Sequence, residues 1–263
     1  MNSHENHDLG LAADLGTLIT RRLALGVLGA TTLAACGTTA QPSPSATPSA
    51  AASSSVPPGK IPEETAGPYP GDGSNGPNVL TQSGIVRSDI RNSFGTATGM
   101  AAGVPLTIAL TIVDSSTGQP RSGAALYLWH CDINGDYSMY SQAIAKENYL
   151  RGVQVANAAG QVTFQSVFPG AYSGRWPHIH FEVYPSLAKA TSSAAKIGTS
   201  QLALPSAACQ EVYATSGYSG SAANLGRSSL GGDMVFRDGY DKQLATITGT
   251  PSTGLTVTLT FAI

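Results

Sequence analysis

Charge is scarce in this chain. Only 14 basic and 16 acidic residues occur among 263, leaving a formal net charge of -2. Without a basic patch large enough to hold a polyanion, nucleic acid is excluded as a partner. The longest apolar run extends only from Leu23 to Ala35, too short for a permanent membrane span, which needs about 20 residues. Three cysteines cannot make a disulfide-dense scaffold. Histidine is equally thin: of five, only three lie beyond the first seven residues. Helical periodicity is sparse as well. What remains is 41% hydrophobic content, sufficient for a real core in one or two domains.

The front of the chain reads as processing signal rather than fold. Arg21 and Arg22 precede the apolar run, which suits an export signal over residues 1–35. Thr20-Arg21-Arg22-Leu23-Ala24-Leu25 resembles a twin-arginine signal, with the general route as the alternative. Leu33-Ala34-Ala35-Cys36-Gly37 is similar to the lipobox of bacterial lipoproteins, which implies lipidation at Cys36. The expected location is the outer face of the cytoplasmic membrane, held by the lipid anchor alone, or secretion. Residues 36–59 are Ala, Ser, Thr and Pro without charge, a composition that cannot bury enough apolar surface to offset its ordering entropy, and read as a disordered tether. Removing residues 1–35 takes two of the 14 basic and three of the 16 acidic residues, leaving 12 against 13 and a nearly neutral mature protein.

From residue 60 to 263 the periodicity is that of strands. Leu106, Ile108, Leu110 and Ile112 alternate with Thr107, Ala109 and Thr111, and Leu255, Val257, Leu259 and Phe261 with Thr256, Thr258 and Thr260. Short apolar segments at 124–130, 161–164, 178–184 and 200–204 lie between turn residues. The expected fold is all-β, an antiparallel sandwich with few short helices, and residues 186–196 are either one short helix or a loop. In an oxidising compartment Cys131 and Cys209 form an even pair, and a bridge would close a long loop worth roughly 4 kcal/mol if unstrained. Cys131 as a metal ligand or a buried free thiol is the alternative.

The chemistry concentrates in residues 172–180, Tyr-Ser-Gly-Arg-Trp-Pro-His-Ile-His. His178 and His180, two apart in a strand, project from the same face and can hold one metal ion. Isolated strand histidines satisfied by neighbours are the plain alternative. Two tyrosines stand on turns nearby: Tyr137 after the Asn134-Gly135 turn signal, and Tyr172 after Pro169-Gly170.

Taken together, 129–138, Arg151-Gly152, 160–164, 169–172 and 175–181 resemble, in this order, the intradiol ring-cleavage dioxygenases, the family of catechol 1,2-dioxygenase and protocatechuate 3,4-dioxygenase. Thr65-Ala66-Gly67-Pro68-Tyr69 and Arg87-Ser88-Asp89-Ile90 are similar to its T-x-G-P-[YF] and R-x-D-I segments. The resemblance implies a mononuclear non-haem iron(III) held by Tyr137, Tyr172, His178 and His180. It implies dioxygen-dependent cleavage of a catechol between its hydroxylated carbons to a cis,cis-muconic acid. Phenolate is a hard anionic donor that favours iron(III), while imidazole suits either oxidation state. By the same resemblance Tyr172 is the ligand that leaves and acts as base, Arg175 binds substrate and stabilises negative charge on the ring, Gln201 supports the centre and Tyr69 lines the substrate mouth. His130 is either a fifth ligand or a satisfied strand-end histidine, Asp132 serves its turn, and Arg151 orders a loop. The cysteine after Trp129-His130 and the short gap between Tyr172 and His178 point to the exported branch of the family. Two rivals stand beside this reading: an anchored sandwich that binds a metal or an aromatic ligand without turnover, and a zinc hydrolase built on His178 and His180, for which Glu182 is placed structurally rather than catalytically.

Overall fold

The computed structural model describes residues 59–263. The expected export signal, Cys36 and nearly all of the tether lie outside the described residues. Two four-stranded sheets carry the domain. In the first, strands run in the order β4 (Gln161–Val167), β1 (Pro105–Val113), β8 (Gly254–Ala262) and β7 (Thr246–Thr250). In the second the order is β3 (Arg151–Val155), β2 (Ala125–Trp129), β5 (His178–Tyr184) and β6 (Gly198–Ala203). The all-β sandwich expected from the alternation is present, with antiparallel pairing everywhere except between β1 and β8. That pair is parallel, Leu106 opposite Leu255 through Val113 opposite Ala262. A parallel pair needs a long crossover, and the whole second sheet supplies it.

The two Leu/Ile–Thr strands lie in one register, so Leu106, Ile108, Leu110, Leu255 and Val257 face inward together while their threonines face out. Against them pack Leu126, Leu128, Ile179, Phe181 and Val183 of the second sheet, forming the intersheet core with Phe164 and Phe261. Each such side chain contributes about 1.5–3 kcal/mol by burial.

The second sheet is unusual in being covered on both faces: every residue of β2, β5 and β6 is buried. Its outer face carries Tyr127, Trp129 and Tyr184, which pack with Val79, Leu80, Ile85, Cys131 and Tyr137 from overlying loops. This explains why 124–129 reads as a continuous apolar run rather than an alternating one. It also places the two histidines on the outer face, under a roof of loops.

Three departures from the sequence reading are informative. Cys131 and Cys209 are both free and buried, not bridged. Cys131 packs in the outer-face cluster, where its thiol donates to the Gly170 carbonyl at 3.4 Å, and Cys209 packs in the intersheet core from a helix. The two thiols fall in different packing clusters, and burial pushes both upward in pKa, so neither is poised to react. Residues 186–196 form two 3-10 turns, 187–189 and 193–195. Residues 206–245, unassigned from periodicity, hold two short helices, α1 (Ser206–Tyr213) and α2 (Ser219–Leu225). In α1 the buried positions Cys209, Val212 and Tyr213 follow helical spacing, too brief a pattern to stand out from sequence.

Candidate metal centre

His178 and His180 leave β5 on the same face, as period two requires. Cross-strand pairing sets what surrounds them. His180 lies opposite Trp129 on β2 and opposite Gln201 on β6. The Trp129 indole stacks on the His180 ring with centroids 5.0 Å apart and planes 8° from parallel, and Tyr127 stacks on Trp129 in turn. From below, then, the imidazole is held by an aromatic column. From above it meets Gly67, whose φ of +70° and lack of side chain let the loop close down, since a Cβ there would lie 3.3 Å from His180 Cε1.

The two tyrosines arrive on loops fastened to one another. After β2 the Asp132 carboxylate accepts from the backbone N–H groups of Asn134 (2.8 Å) and Asp136 (3.1 Å), closing the turn that presents Tyr137. After β4, the Gly170 N–H donates to the Asp132 carbonyl at 2.9 Å. A Cβ at 170 would come within 2.4 Å of the Ile133 carbonyl oxygen, so only glycine permits this approach. The turn role expected for Asp132 is thus what the structure places there.

These loops bring four donor atoms into a closed ring. Tyr137 Oη lies 3.1 Å from His180 Nε2 and 3.3 Å from Tyr172 Oη; Tyr172 Oη lies 3.0 Å from His178 Nε2; and the two Nε2 atoms are 3.0 Å apart. Donors about 2.1 Å from a common ion and at right angles to each other stand about 3.0 Å apart, so this spacing fits a single metal ion. Hydrogen bonding alone leaves the ring incomplete. His178 Nδ1–H donates to the Trp176 carbonyl, which leaves a lone pair on Nε2. His180 Nδ1 is buried without a partner, so its ring is satisfied only in part. Among the described residues no group of three or more His, Cys, Asp or Glu could hold a metal, which leaves the zinc hydrolase reading without a third ligand.

Burial decides the charge states. It holds His178 and His180 well below the ordinary imidazole range, reinforced by Arg175 at His178 and by His178 at His180. It also raises both phenols, Tyr172 to about 12 with Arg175 opposing, and Tyr137 further, with Tyr172 the next cause. The pocket therefore offers neutral imidazoles, and phenols that would ionise only against a cation.

Arg175 is 8% exposed, its Nε donating to Asp233 Oδ2 at 3.0 Å and its Nη2 to Gln201 Oε1 at 2.6 Å; Nη1 lies 3.5 Å from His178 Nε2. The guanidinium adjoins the ring of donors. Gln201 passes the contact on, donating to the Thr65 carbonyl at 2.9 Å. Tyr69 packs beside Tyr137 at 5.2 Å between centroids and remains partly exposed, which suits a lining role at the mouth.

Other candidates fall elsewhere. His130 bonds Ser166 Oγ and the Cys131 carbonyl and is not in the ring. Glu182 is fully buried, pairs with Lys196 at 2.7 Å and accepts from Tyr184 at 2.6 Å, which is a structural role. Arg151 does order a loop, as expected, from a strand position. It begins β3 and donates five hydrogen bonds, to the carbonyls of Tyr69, Pro70 and Ser138, to Ser138 Oγ and to Tyr127 Oη, tying the Thr65–Pro70 segment to the loop that carries Tyr137. Asp233 carried no sequence signal. A buried Arg175 requires a carboxylate, but nothing local says which.

Acid sensitivity follows from these charge states. His130 is held at about 4 by burial, and His178 and His180 are lowered too. Groups whose folded pKa lies below the ordinary 6.5 contribute stability that is present above 6.5 and lost as pH falls. Glu182, pushed up to about 7 by burial, has the opposite slope, because the folded protein holds its proton between 4.5 and 7. Three imidazoles outweigh Glu182 and Asp132, whose carboxyl burial also raises. The urea midpoint of metal-free protein is expected to fall between pH 6.5 and pH 5, and Glu182→Gln to steepen that fall; a midpoint constant across this range would refute the assignment.

Comparison with known proteins follows the same geometry. The family model described as "Dioxygenase" matches residues 75–191, which contain Tyr137, Tyr172, Arg175, His178 and His180. A chlorocatechol 1,2-dioxygenase of Rhodococcus opacus is 35% identical over 60 residues, 23% of this chain and 23% of that protein, so the match spans under a quarter of the relative's length. Among solved structures, an intradiol ring-cleavage dioxygenase from Tetranychus urticae is similar with a TM-score of 0.56 and 27% identity, covering 69% of this chain and 88% of that one. A second crystallised dioxygenase gives a TM-score of 0.59 at 26% identity, covering 78% of this chain and 94% of that one.

Proposed function

We propose that this chain, which is similar to the dioxygenase family over residues 75–191 and in fold to an intradiol ring-cleavage dioxygenase, opens a catechol-type aromatic with O2 between the two hydroxylated carbons. The observation that carries the reading is the closed ring of two phenol oxygens and two imidazole nitrogens at 3.0–3.3 Å. Both oxygen atoms of O2 enter the product, so catechol yields a cis,cis-muconic acid with nothing left over.

Tyr137, Tyr172, His178 and His180 are the residues that would hold iron(III). Bound there, the ion would supply a Lewis-acidic centre that chelates both catechol oxygens and makes the ring reactive toward dioxygen. The remaining roles fall to the chain. The neutral imidazoles keep their Nε2 lone pairs directed inward, with His178 locked by the Trp176 carbonyl. Tyr137, which is 2% exposed, is the permanent anion. Tyr172 is more accessible and its phenolate can take the proton of an incoming catechol hydroxyl. Arg175 stabilises negative charge on the ring as oxygen adds, from a water-poor site where such a charge acts strongly. Tyr69 offers its ring to the aromatic substrate at the mouth.

On the expectation of export, substituted catechols and hydroxyquinol derived from plant or lignin aromatics stand beside catechol itself as candidate substrates. The test is direct. Iron-reconstituted protein should be red to burgundy from tyrosinate-to-iron absorption, and with a panel of catechols should take up one O2 per muconate formed. Colourless protein, or coloured protein that binds catechol without oxygen uptake, would reduce it to a binding module. A clear preference for unsubstituted catechol would count against the exported substrate class.

A further inference from the structure

We infer that Asp233 is a positioning residue for the dioxygenase, acting through Arg175; the inference rests on the reading above. Asp233 is 2% exposed and lies at the end of the 3-10 turn Leu230–Gly232, within the 206–245 excursion and outside the residues matched by the family model. Both its oxygens are engaged. Oδ2 accepts from Arg175 Nε at 3.0 Å and from the Trp176 backbone N–H at 2.6 Å, while Oδ1 accepts from the N–H groups of Val235 (2.8 Å) and Phe236 (3.4 Å). The surroundings keep the carboxylate from moving. Trp176, Val235 and Phe236 pack with Ala203 in a cluster of their own, and Trp176 Nε1–H donates to the Leu204 carbonyl at 2.8 Å.

The consequence lies in the fork geometry of the guanidinium. Arg175 has three nitrogens in one plane. Asp233 takes Nε and Gln201 takes Nη2, so the plane is fixed at two of its three corners and Nη1 is the nitrogen turned toward the donor ring, 3.5 Å from His178 Nε2. Gln201 is neutral, so Asp233 alone among these partners carries the compensating charge for a buried cation. Without it the arginine would keep one hydrogen-bonded corner and be free to swing. Since the arginine acts on charge that develops during reaction, its misplacement should reduce kcat rather than weaken substrate binding.

The experiment is a double-mutant cycle on iron-loaded protein with Asp233→Asn, Arg175→Gln and the pair. Asp233→Asn should lower kcat roughly 10- to 100-fold, the range for losing an outer-shell partner, with KM nearly unchanged and iron content per chain at the wild-type level. In the Arg175→Gln background the same change should cost almost nothing further. Equal losses in both backgrounds, or a loss confined to iron content, would overturn the inference and leave the dioxygenase reading intact. Because Asp233→Asn can also weaken the fold, the wild-type protein supplies an independent measurement. The Arg175 Nε–H resonance should exchange slowly with solvent at neutral pH, and fast exchange would overturn the inference. A wild-type protein that takes up no oxygen with any catechol overturns the dioxygenase reading, and the catalytic role of Asp233 with it, whatever the resonance shows.

Discussion

Replacing His180 by alanine is expected to abolish iron binding, visible colour and ring cleavage together, while leaving the domain folded. The imidazole Nε2 stands 3.1 Å from Tyr137 Oη and 3.0 Å from His178 Nε2, so it closes two sides of the donor ring. Losing an outer-shell partner of a metal ligand costs about 10- to 100-fold in affinity, and removing a ligand itself should exceed that. The fold should tolerate the change because Trp129 remains stacked on Tyr127 and the strand keeps its ladder to β2 and β6. Elemental analysis, the visible spectrum and oxygen uptake measure the three losses, and circular dichroism the retained fold. A His180→Ala protein that stays coloured and active would remove the metal assignment altogether.

Arg151→Met is expected to be the most damaging single change to stability that leaves the donor ring itself intact. The residue is 1% exposed, and its five hydrogen bonds satisfy the carbonyls of Tyr69, Pro70 and Ser138 and two hydroxyls. Methionine fills much of the volume but donates nothing, so the Tyr69 and Ser138 carbonyls lose the guanidinium, while the Pro70 carbonyl keeps Tyr127 and the two hydroxyls keep the carbonyls they donate to. Unsatisfied buried groups cost about 1–3 kcal/mol each, and allowing for partial rehydration the total should reach roughly 3–5 kcal/mol in urea unfolding. Released from Ser138, the Thr65–Pro70 segment would also lift from His180 and Tyr137, so iron loading should fall with stability. A loss below about 1 kcal/mol would show that water replaces the guanidinium freely.

Much of this was legible along the chain. The alternation of 106–112 and 255–261 marked strands that face one core, since period two is a local property of extended backbone. The H-x-H pair and the turn-borne tyrosines could be named because their spacing and turn residues are local too. The disulfide could not be judged this way. Pairing two cysteines by count ignores where each one packs, and Cys131 and Cys209 belong to different clusters. Arg151 was expected to order a loop, but which segments it ties could not be read, because its partners lie from 13 to 82 positions away. The helices of 206–245 escaped because each is barely two turns long and owes its stability to packing.

By itself the sequence determined the strand-rich character of residues 60–263 and the types of donor available, because composition and short-range periodicity act within a few residues. The convergence of the phenols on the imidazoles, the capture of Arg175 by a carboxylate 58 positions away, and the parallel seam between β1 and β8 were decided only when distant segments packed. Long-range contacts depend on which apolar faces meet and which buried polar groups then require partners, and no local pattern encodes that choice.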